Sequence, residues 1–379
     1  MKILLIGEYS RLHNSLKEGL VAQGHEVITV ASGDHFKKYD VDYSTHSAFF
    51  SGFWFIQKVT TLVYKTTTFD LEKIERAVRF YFLLPKLKGY NHVQLINSDA
   101  IETYPVLARF LYKKVFQNIE SRSLLVCGDE TPIIDYLFKK ELKYSVLTPY
   151  FEDKLLQKKF EFPLKYRTKN YRKTFDWLNE NCNSLIASDL DYKIPLEAMG
   201  YRPHFIPNPV NTDIIKCKDL EINTRIVIFL GINRGSYIKK GIPFFEKALA
   251  LIKEKYNSKV EIIISDNIPY NKYIELYNRA HILLDQVYAY DQGYNALEAM
   301  AKGKVVFTGA ETEFTKHYKL TKRVAVNALP DVDSLVNDLS FLIENPDEII
   351  AIGKRARSFI EKEHHYLKIA ANYLEAWKS

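Results

Sequence analysis

Cysteine is scarce. Cys127, Cys182 and Cys217 are the only three in 379 residues, and no two are spaced CxxC. A disulfide framework and a thiolate zinc site are therefore not expected, and a reducing compartment is. Long apolar runs are missing as well. No stretch approaches the ~20 apolar residues that span a bilayer. The opening MKILLIGEYS meets Glu8 before a signal-peptide core is complete, so the expectation is a cytoplasmic protein. The dinucleotide fingerprint GxGxxG is absent too. The first loop reads Gly7-Glu8-Tyr9-Ser10-Arg11-Leu12, which disfavours a nicotinamide enzyme. No recognisable nucleic-acid module occurs, and nucleic acid is not expected as a partner.

What is present is ordinary for a globular chain of about two domains: 47% hydrophobic, 26% charged and rich in aromatics at 14%. The net charge of +7 is unevenly spread. Segment 151–173 holds eight basic residues against three acids, a local +5, interleaved with Phe160, Phe162, Tyr166 and Tyr171. Two readings stand: a solvated helical face, or a surface for anionic lipid headgroups or an anionic acceptor.

Periodicity gives an α/β text. Residues 2–6 form an apolar strand broken by Gly7, 10–23 have helical spacing with Leu12, Leu16 and Leu20 on one face, and 26–30 form the next strand. Further strands are expected at 92–96, 124–127 and 184–187. The aromatic stretch 49–64, FFSGFWFIQKVTTLVY, is read as core packing in preference to a membrane-interface helix. At 206–212, IPNPVNT marks a rigid turn and a domain boundary. A second unit then alternates strands (225–230, 260–265, 282–287, 304–308) with helices (242–256, 269–280), and the chain is helical after 331. The expected organisation is an N-terminal Rossmann-like domain at 1–207 and a C-terminal one at 208–360. A helix at 361–379 is expected to pack back on the first domain. Ligands bind at the carboxyl ends of strands in such sheets, so the cleft between the domains is the default site.

The C-terminal unit carries the chemistry. Gly231-Ile-Asn-Arg234 follows its first strand, and Lys239-Lys240-Gly241 opens a helix. Gly293-Tyr294-Asn295-Ala296 opens another, with Glu298 one turn inside. Helix starts offer free N–H groups and a positive dipole end to a phosphate. Arg234 and Lys240 add two positive charges, so a diphosphate is neutralised without a metal ion. Glu298 is then placed to accept hydrogen bonds from the vicinal hydroxyls of a ribose.

With these pieces on the page, GYNALEAMAKGKVVFTG resembles the nucleotide-sugar signature of retaining GT-B-fold glycosyltransferases of the glycosyltransferase 4 type. MKILLIG with GHEVITV, IPNPVN and FLGINRGSYIKKG resemble, in order, the family's first strands, hinge and diphosphate segment. The resemblance implies a GT-B fold of two Rossmann-like domains across a cleft. It implies transfer from a UDP- or GDP-sugar to a glycan or lipid-linked glycan, with no separate cofactor. Glu298 matches the ribose-binding glutamate, and Arg234 with Lys240 match the diphosphate pair. Residues 293–296 supply N–H groups, and the Gly7 loop approaches the reaction centre. One departure stands out: the family's other glutamate, eight residues before Glu298, is here Tyr290, with Asp291 beside it. Asp291 is a candidate substitute, and His13 or Asp129 candidates for a catalytic group of the N-terminal domain. The strings Asp40-Val-Asp42 and Asp189-Leu-Asp191 resemble the metal-binding pair of the other large transferase fold. One follows a lysine run and the other begins a helix, so no metal site is expected. The basic segment adds an expected peripheral location on the inner face of a membrane. A non-catalytic nucleotide-sugar-binding partner of a glycan assembly complex is the alternative, and an epimerase or phosphorylase on the same plan a further one.

Overall fold

The computed structural model describes the chain except residues 34–38, 219, 223, 267–269 and 379, and the side chains of 270 and 271. Pro269, read as the start of a helix, lies outside the described residues.

Two parallel sheets organise the described residues. The first has the strands β1 (Lys2–Ile6), β2 (Glu26–Ala31), β3 (Tyr43–Ser44), β4 (His92–Leu95), β5 (Ser121–Val126), β6 (Ser184–Ala187) and β7 (His204–Phe205) in the order 3-2-1-4-5-6-7. The second has β8 (Ile226–Ile232), β9 (Val260–Asp266), β10 (Ile282–Leu284), β11 (Val305–Thr308) and β12 (Val326–Asn327) in the order 12-11-10-8-9. The central strands β1, β4, β10 and β11 are nearly or wholly buried along their length. That is what a parallel sheet with helices on both faces requires of near-continuous apolar runs. The short edge strands β3, β7 and β12 carry too few residues to show a period. In each sheet the strand order reverses beside the first strand of the unit, between β1 and β4 and between β8 and β10. Crevices for ligands open at such switch points, at the carboxyl ends of the strands.

The chain crosses between the lobes twice, and the two crossings run side by side. The Val210 N–H donates to the His364 carbonyl (2.7 Å), and the Tyr366 N–H donates to the Val210 carbonyl (3.1 Å). Beyond the return crossing, the helix Tyr366–Ala376 lies on the first helix, Leu12–Ala22. Tyr373 and Trp377 join the core of the N-terminal lobe.

One expectation is overturned. The stretch 49–64 forms the helices Ala48–Gly52 and Trp54–Thr67, and of their residues only Thr60 is buried. Phe49, Phe53, Trp54, Phe55, Val59 and Leu62 face outward. The sheet's faces are already covered by other helices, and this pair packs along one edge on the helix Leu71–Leu83.

Candidate functional site

A cavity of about 1180 Å³ lies between the lobes. The N-terminal lobe lines it with Tyr9 and Ser10 after β1, Asp99 after β4, Asp129 after β5, and Asp189 and Asp191 after β6. The C-terminal lobe contributes Lys239 from the loop after β8 and Gln286, Tyr288 and Gly293 from the loop after β10. Every one of these positions follows the carboxyl end of a strand, so the sheet topology itself assembles this part of the wall.

The Gly7 loop is shaped for close approach. Gly7 has φ +86°, and a Cβ there would meet Ile96 Cγ2 at 2.3 Å, so only glycine fits. Ser10 and Arg11 follow with φ of +53° and +73°, a conformation that costs non-glycine residues energy and is characteristic of functional loops. His13 lies behind this loop, fully buried and absent from the cavity wall. Its Nδ1 meets the Gly7 carbonyl at 2.6 Å, and its Nε2 meets Gln94 Nε2 at 3.1 Å. Since a carbonyl only accepts and an amide nitrogen only donates, Nδ1 carries the proton and Nε2 accepts. Burial lowers its pKa to about 4, so this neutral histidine props the loop from behind.

Asp129 stands at the cavity wall. Burial raises its pKa, while Lys239 from the opposite lobe and Lys165 draw it back. Lys239 is lowered by burial and partly restored by Asp129. A charge pair thus faces across the cleft, one member on each lobe. Lys165 reaches into the same space with its Nζ 2.8 Å from Asp99 Oδ2, and the Tyr171 hydroxyl donates to the same oxygen at 3.3 Å. Sequence reading singled out Lys240 and passed over Lys239. Two adjacent lysines before a helix look alike on paper, and only the turn of the loop decides which one enters the cleft.

On the C-terminal lobe, Gly293 caps the helix Tyr294–Ala301 with extended backbone (φ −73°, ψ 167°) and opens onto the cavity. Asn295 Nδ2 donates to Asp285 Oδ1 at 3.0 Å, and Lys240 Nζ reaches the same oxygen at 2.7 Å. Asp285 is buried and also accepts from Thr308 Oγ1 at 3.3 Å. Gln286, next along, points into the cavity. Ala296 is fully buried beneath the helix start. The Tyr294 hydroxyl donates to the Pro209 carbonyl in the hinge. Its pKa is raised by burial, and the charges of Glu298 on its own lobe and Glu8 on the other add to the rise. Glu298, one turn beyond Tyr294 on the same helix, is half-buried and is not among the residues that line the cavity. Arg234 is 54% exposed in an ion pair with Asp266 at the end of β9, also away from the wall.

Asp291 is turned away from the cavity. Its Oδ2 accepts from the Leu190 N–H at 3.0 Å and its Oδ1 from the Gln292 N–H at 2.8 Å. Asp191 returns the contact from the N-terminal lobe, accepting from the Tyr290 N–H (3.0 Å) and the Asp291 N–H (3.1 Å). Each lobe thus offers a carboxylate to the other's backbone. Asp189 caps the helix Leu190–Ala198 beside them. Burial raises all three pKa values, with backbone hydrogen bonds opposing. Asp42 of the other D-x-D string accepts from Thr29 and pairs with Lys17 at 2.6 Å. Tyr290 is buried, its hydroxyl accepting from the Lys143 N–H at 3.0 Å, and its ring is 5.4 Å from that of Tyr144. Tyr290, which the sequence resemblance aligned with a glutamate, here packs the seam.

Residues 243–375 match the family model described as glycosyl transferase-like. No curated protein matches the sequence significantly. Solved structures are similar over the full length. A sucrose-phosphate synthase from Thermosynechococcus elongatus has a TM-score of 0.61 at 14% identity, covering 100% of this chain and 98% of its own. Anabaena HepE in complex with UDP and glucose has a TM-score of 0.59 at 11% identity, covering 100% and 99%. A UDP-GlcNAc 2-epimerase from Neisseria meningitidis bound to UDP-GlcNAc has a TM-score of 0.53 at 14% identity, covering 99% of each chain. The fold is GT-B: two parallel-sheet α/β lobes facing each other across a cleft.

Proposed function

We propose that the protein is a retaining glycosyltransferase that moves a sugar from a UDP- or GDP-sugar to a glycan or lipid-linked glycan. The carrying observation is the start of the helix Tyr294–Ala301 at Gly293, open to the interlobe cavity, in a segment that matches a glycosyl transferase-like model. The solved complexes of similar fold with UDP and with UDP-glucose support a nucleotide-sugar as the ligand.

In this reading the free N–H groups of residues 293–296 meet the diphosphate. Arg234 and Lys240 leave Asp266 and Asp285 to add their charge, so that neutralisation does not depend on a metal ion. Glu298 takes the ribose hydroxyls. Asp129, facing Lys239, orients the acceptor hydroxyl, and the leaving phosphate accepts its proton. His13 acts as a positioning residue for the Gly7 loop. Exposed lysines of 151–173 contribute attraction to an anionic membrane surface.

Nucleotide release from a panel of UDP-, GDP- and ADP-sugars tests this. Slow release from one donor is expected, with kcat/KM falling about 10- to 100-fold in Glu298→Ala, the loss of one or more hydrogen bonds to a charged group. Tight binding without turnover, even with acceptor extracts, supports instead a non-catalytic nucleotide-sugar-binding protein. The aromatic at position 290 favours that second reading.

A further inference from the structure

No helix among the described residues is long and apolar enough to cross a membrane, yet the N-terminal lobe exposes an apolar face at the rim of the cavity. The helix Trp54–Thr67 has three sides. Ile56, Thr60 and Val63 are its least exposed positions. Gln57, Thr60, Thr61 and Tyr64 line the cavity. The remaining side carries Phe55, Val59 and Leu62 at helical spacing, with Phe55 69% and Leu62 62% exposed. Trp54, 68% exposed, stands at the helix start with Lys58 Nζ 4.0 Å from its ring centre. A free surface of this kind marks an interaction site.

Charge identifies the partner. Between Asp42 and Asp70 the sequence contains no acidic residue, while Lys58 and Lys65 flank the apolar stripe. The segment 151–173 borders the same cavity with Glu161, Phe162 (55% exposed), Lys165 and Tyr166, and elsewhere exposes Lys158, Lys159, Lys169 and Lys173, which outnumber its exposed acids Glu152, Asp153 and Glu161. An apolar stripe with an aromatic anchor, carrying Lys58 and Lys65 and no acid on its own helix, matches an anionic lipid surface, where rings settle at headgroup depth and lysines meet phosphates. We propose that the helix Trp54–Thr67 inserts its Phe55/Val59/Leu62 face into the headgroup region of an anionic bilayer, with the mouth of the cavity against the lipid. Gln57, Thr61 and Tyr64 then lie between lipid and cavity, on the path of an acceptor whose head enters while its tail stays in the membrane. Only that last consequence rests on the transferase reading. The docking itself does not.

The test is flotation of the full chain with phosphatidylcholine vesicles with or without about one-third phosphatidylglycerol. Emission from Trp54 is followed in parallel, with Trp54→Phe as the reference for Trp177 and Trp377. Expected are binding to the anionic vesicles, a blue shift lost in Trp54→Phe, and partitioning at least about tenfold weaker in both Phe55→Ser/Leu62→Ser and Lys58→Glu/Lys65→Glu. Donor-sugar release without acceptor stays at the parental level in these surface variants, which separates failure of docking from failure of the transferase reading. Binding unchanged in Phe55→Ser/Leu62→Ser overturns the proposal. So does absence of binding by the parent protein. Light scattering that shows a dimer dissociated by the same substitutions also overturns it, because the face then belongs to a second copy.

Discussion

At position 290 a glutamate would have to ionise between the ring of Tyr144 and the backbone of Lys143, in a buried seam that already holds Asp191 and Glu311. Tyrosine fills the same space with one hydroxyl, satisfied by one N–H. Tyr290→Phe is therefore expected to cost about 1 kcal/mol, one net hydrogen bond. Tyr290→Glu should cost several kcal/mol, since it buries an unpaired charge. Urea unfolding of the two variants checks this. A glutamate variant as stable as the parent would mean that the seam opens to water. Glu298 belongs to the same scale. Its identity and helical place are plain in the sequence, but its distance from the cavity wall is not, and the donor-release assay on Glu298→Ala bears directly on it.

At the scale of elements, the reciprocal contact between the start of the helix Leu190–Ala198 and segment 290–292 holds the lobes in register. Burial raises Asp191 to about 7 and Asp291 to about 6, whereas an unfolded chain releases such protons near pH 4. A raised folded pKa makes the folded state bind protons more tightly. Its stabilisation is complete below about pH 4 and is lost as pH rises through about 6 and 7. The buried histidines act in the opposite sense. His13 and His364, each lowered to about 4 by burial, take away stability only as pH falls below 6.5. Between pH 6.5 and 8 the acids therefore dominate the slope: Glu130, raised by burial to about 7, contributes with the same sign, and Lys304, lowered by burial to about 8, opposes them only at the upper end of that window. The urea midpoint is expected to fall from pH 6.5 to pH 8, and less steeply in Asp191→Asn. A flat profile, or an unchanged slope in the asparagine variant, would contradict this account.

For the whole molecule, the return of the chain to its first lobe matters as much as the cleft. Gly19 on the helix Leu12–Ala22 lies under the helix Tyr366–Ala376, where a Cβ would stand 2.6 Å from the Tyr366 carbonyl oxygen and 2.8 Å from Ala370 Cβ. Beyond that contact, Trp377 Nε1 donates to Gln94 Oε1 at 3.1 Å, and its ring stacks on His92 at 4.0 Å. Gln94 in turn bonds His13 beneath the Gly7 loop, so the chain's end connects to the loop at the cleft through three side chains. Gly19→Ala is expected to destabilise by about 1–3 kcal/mol through overpacking, although alanine is the better helix former by about 1 kcal/mol. Denaturant unfolding followed by tryptophan emission reads this out. A gain in stability would show that the two helices are not in close contact.

The alternation of apolar runs and helical periods determined the two α/β lobes by itself, because a strand covered on both faces must be apolar throughout and its glycine-marked ends need no partner to be seen. MKILLI, VVFT and the helix that opens after Gly293 are of this kind. The seam, the cavity wall and the outward helix were decided only by the tertiary structure. Whether Asp291 or Asp129 faces the cleft, and whether Lys239 or Lys240 enters it, depends on how two distant loops turn toward each other. Whether FFSGFWFIQKVTTLVY is core or surface depends on which faces other helices have already covered. Local sequence encodes how apolar a segment is, whereas what lies opposite it is fixed by contacts between residues far apart in the chain.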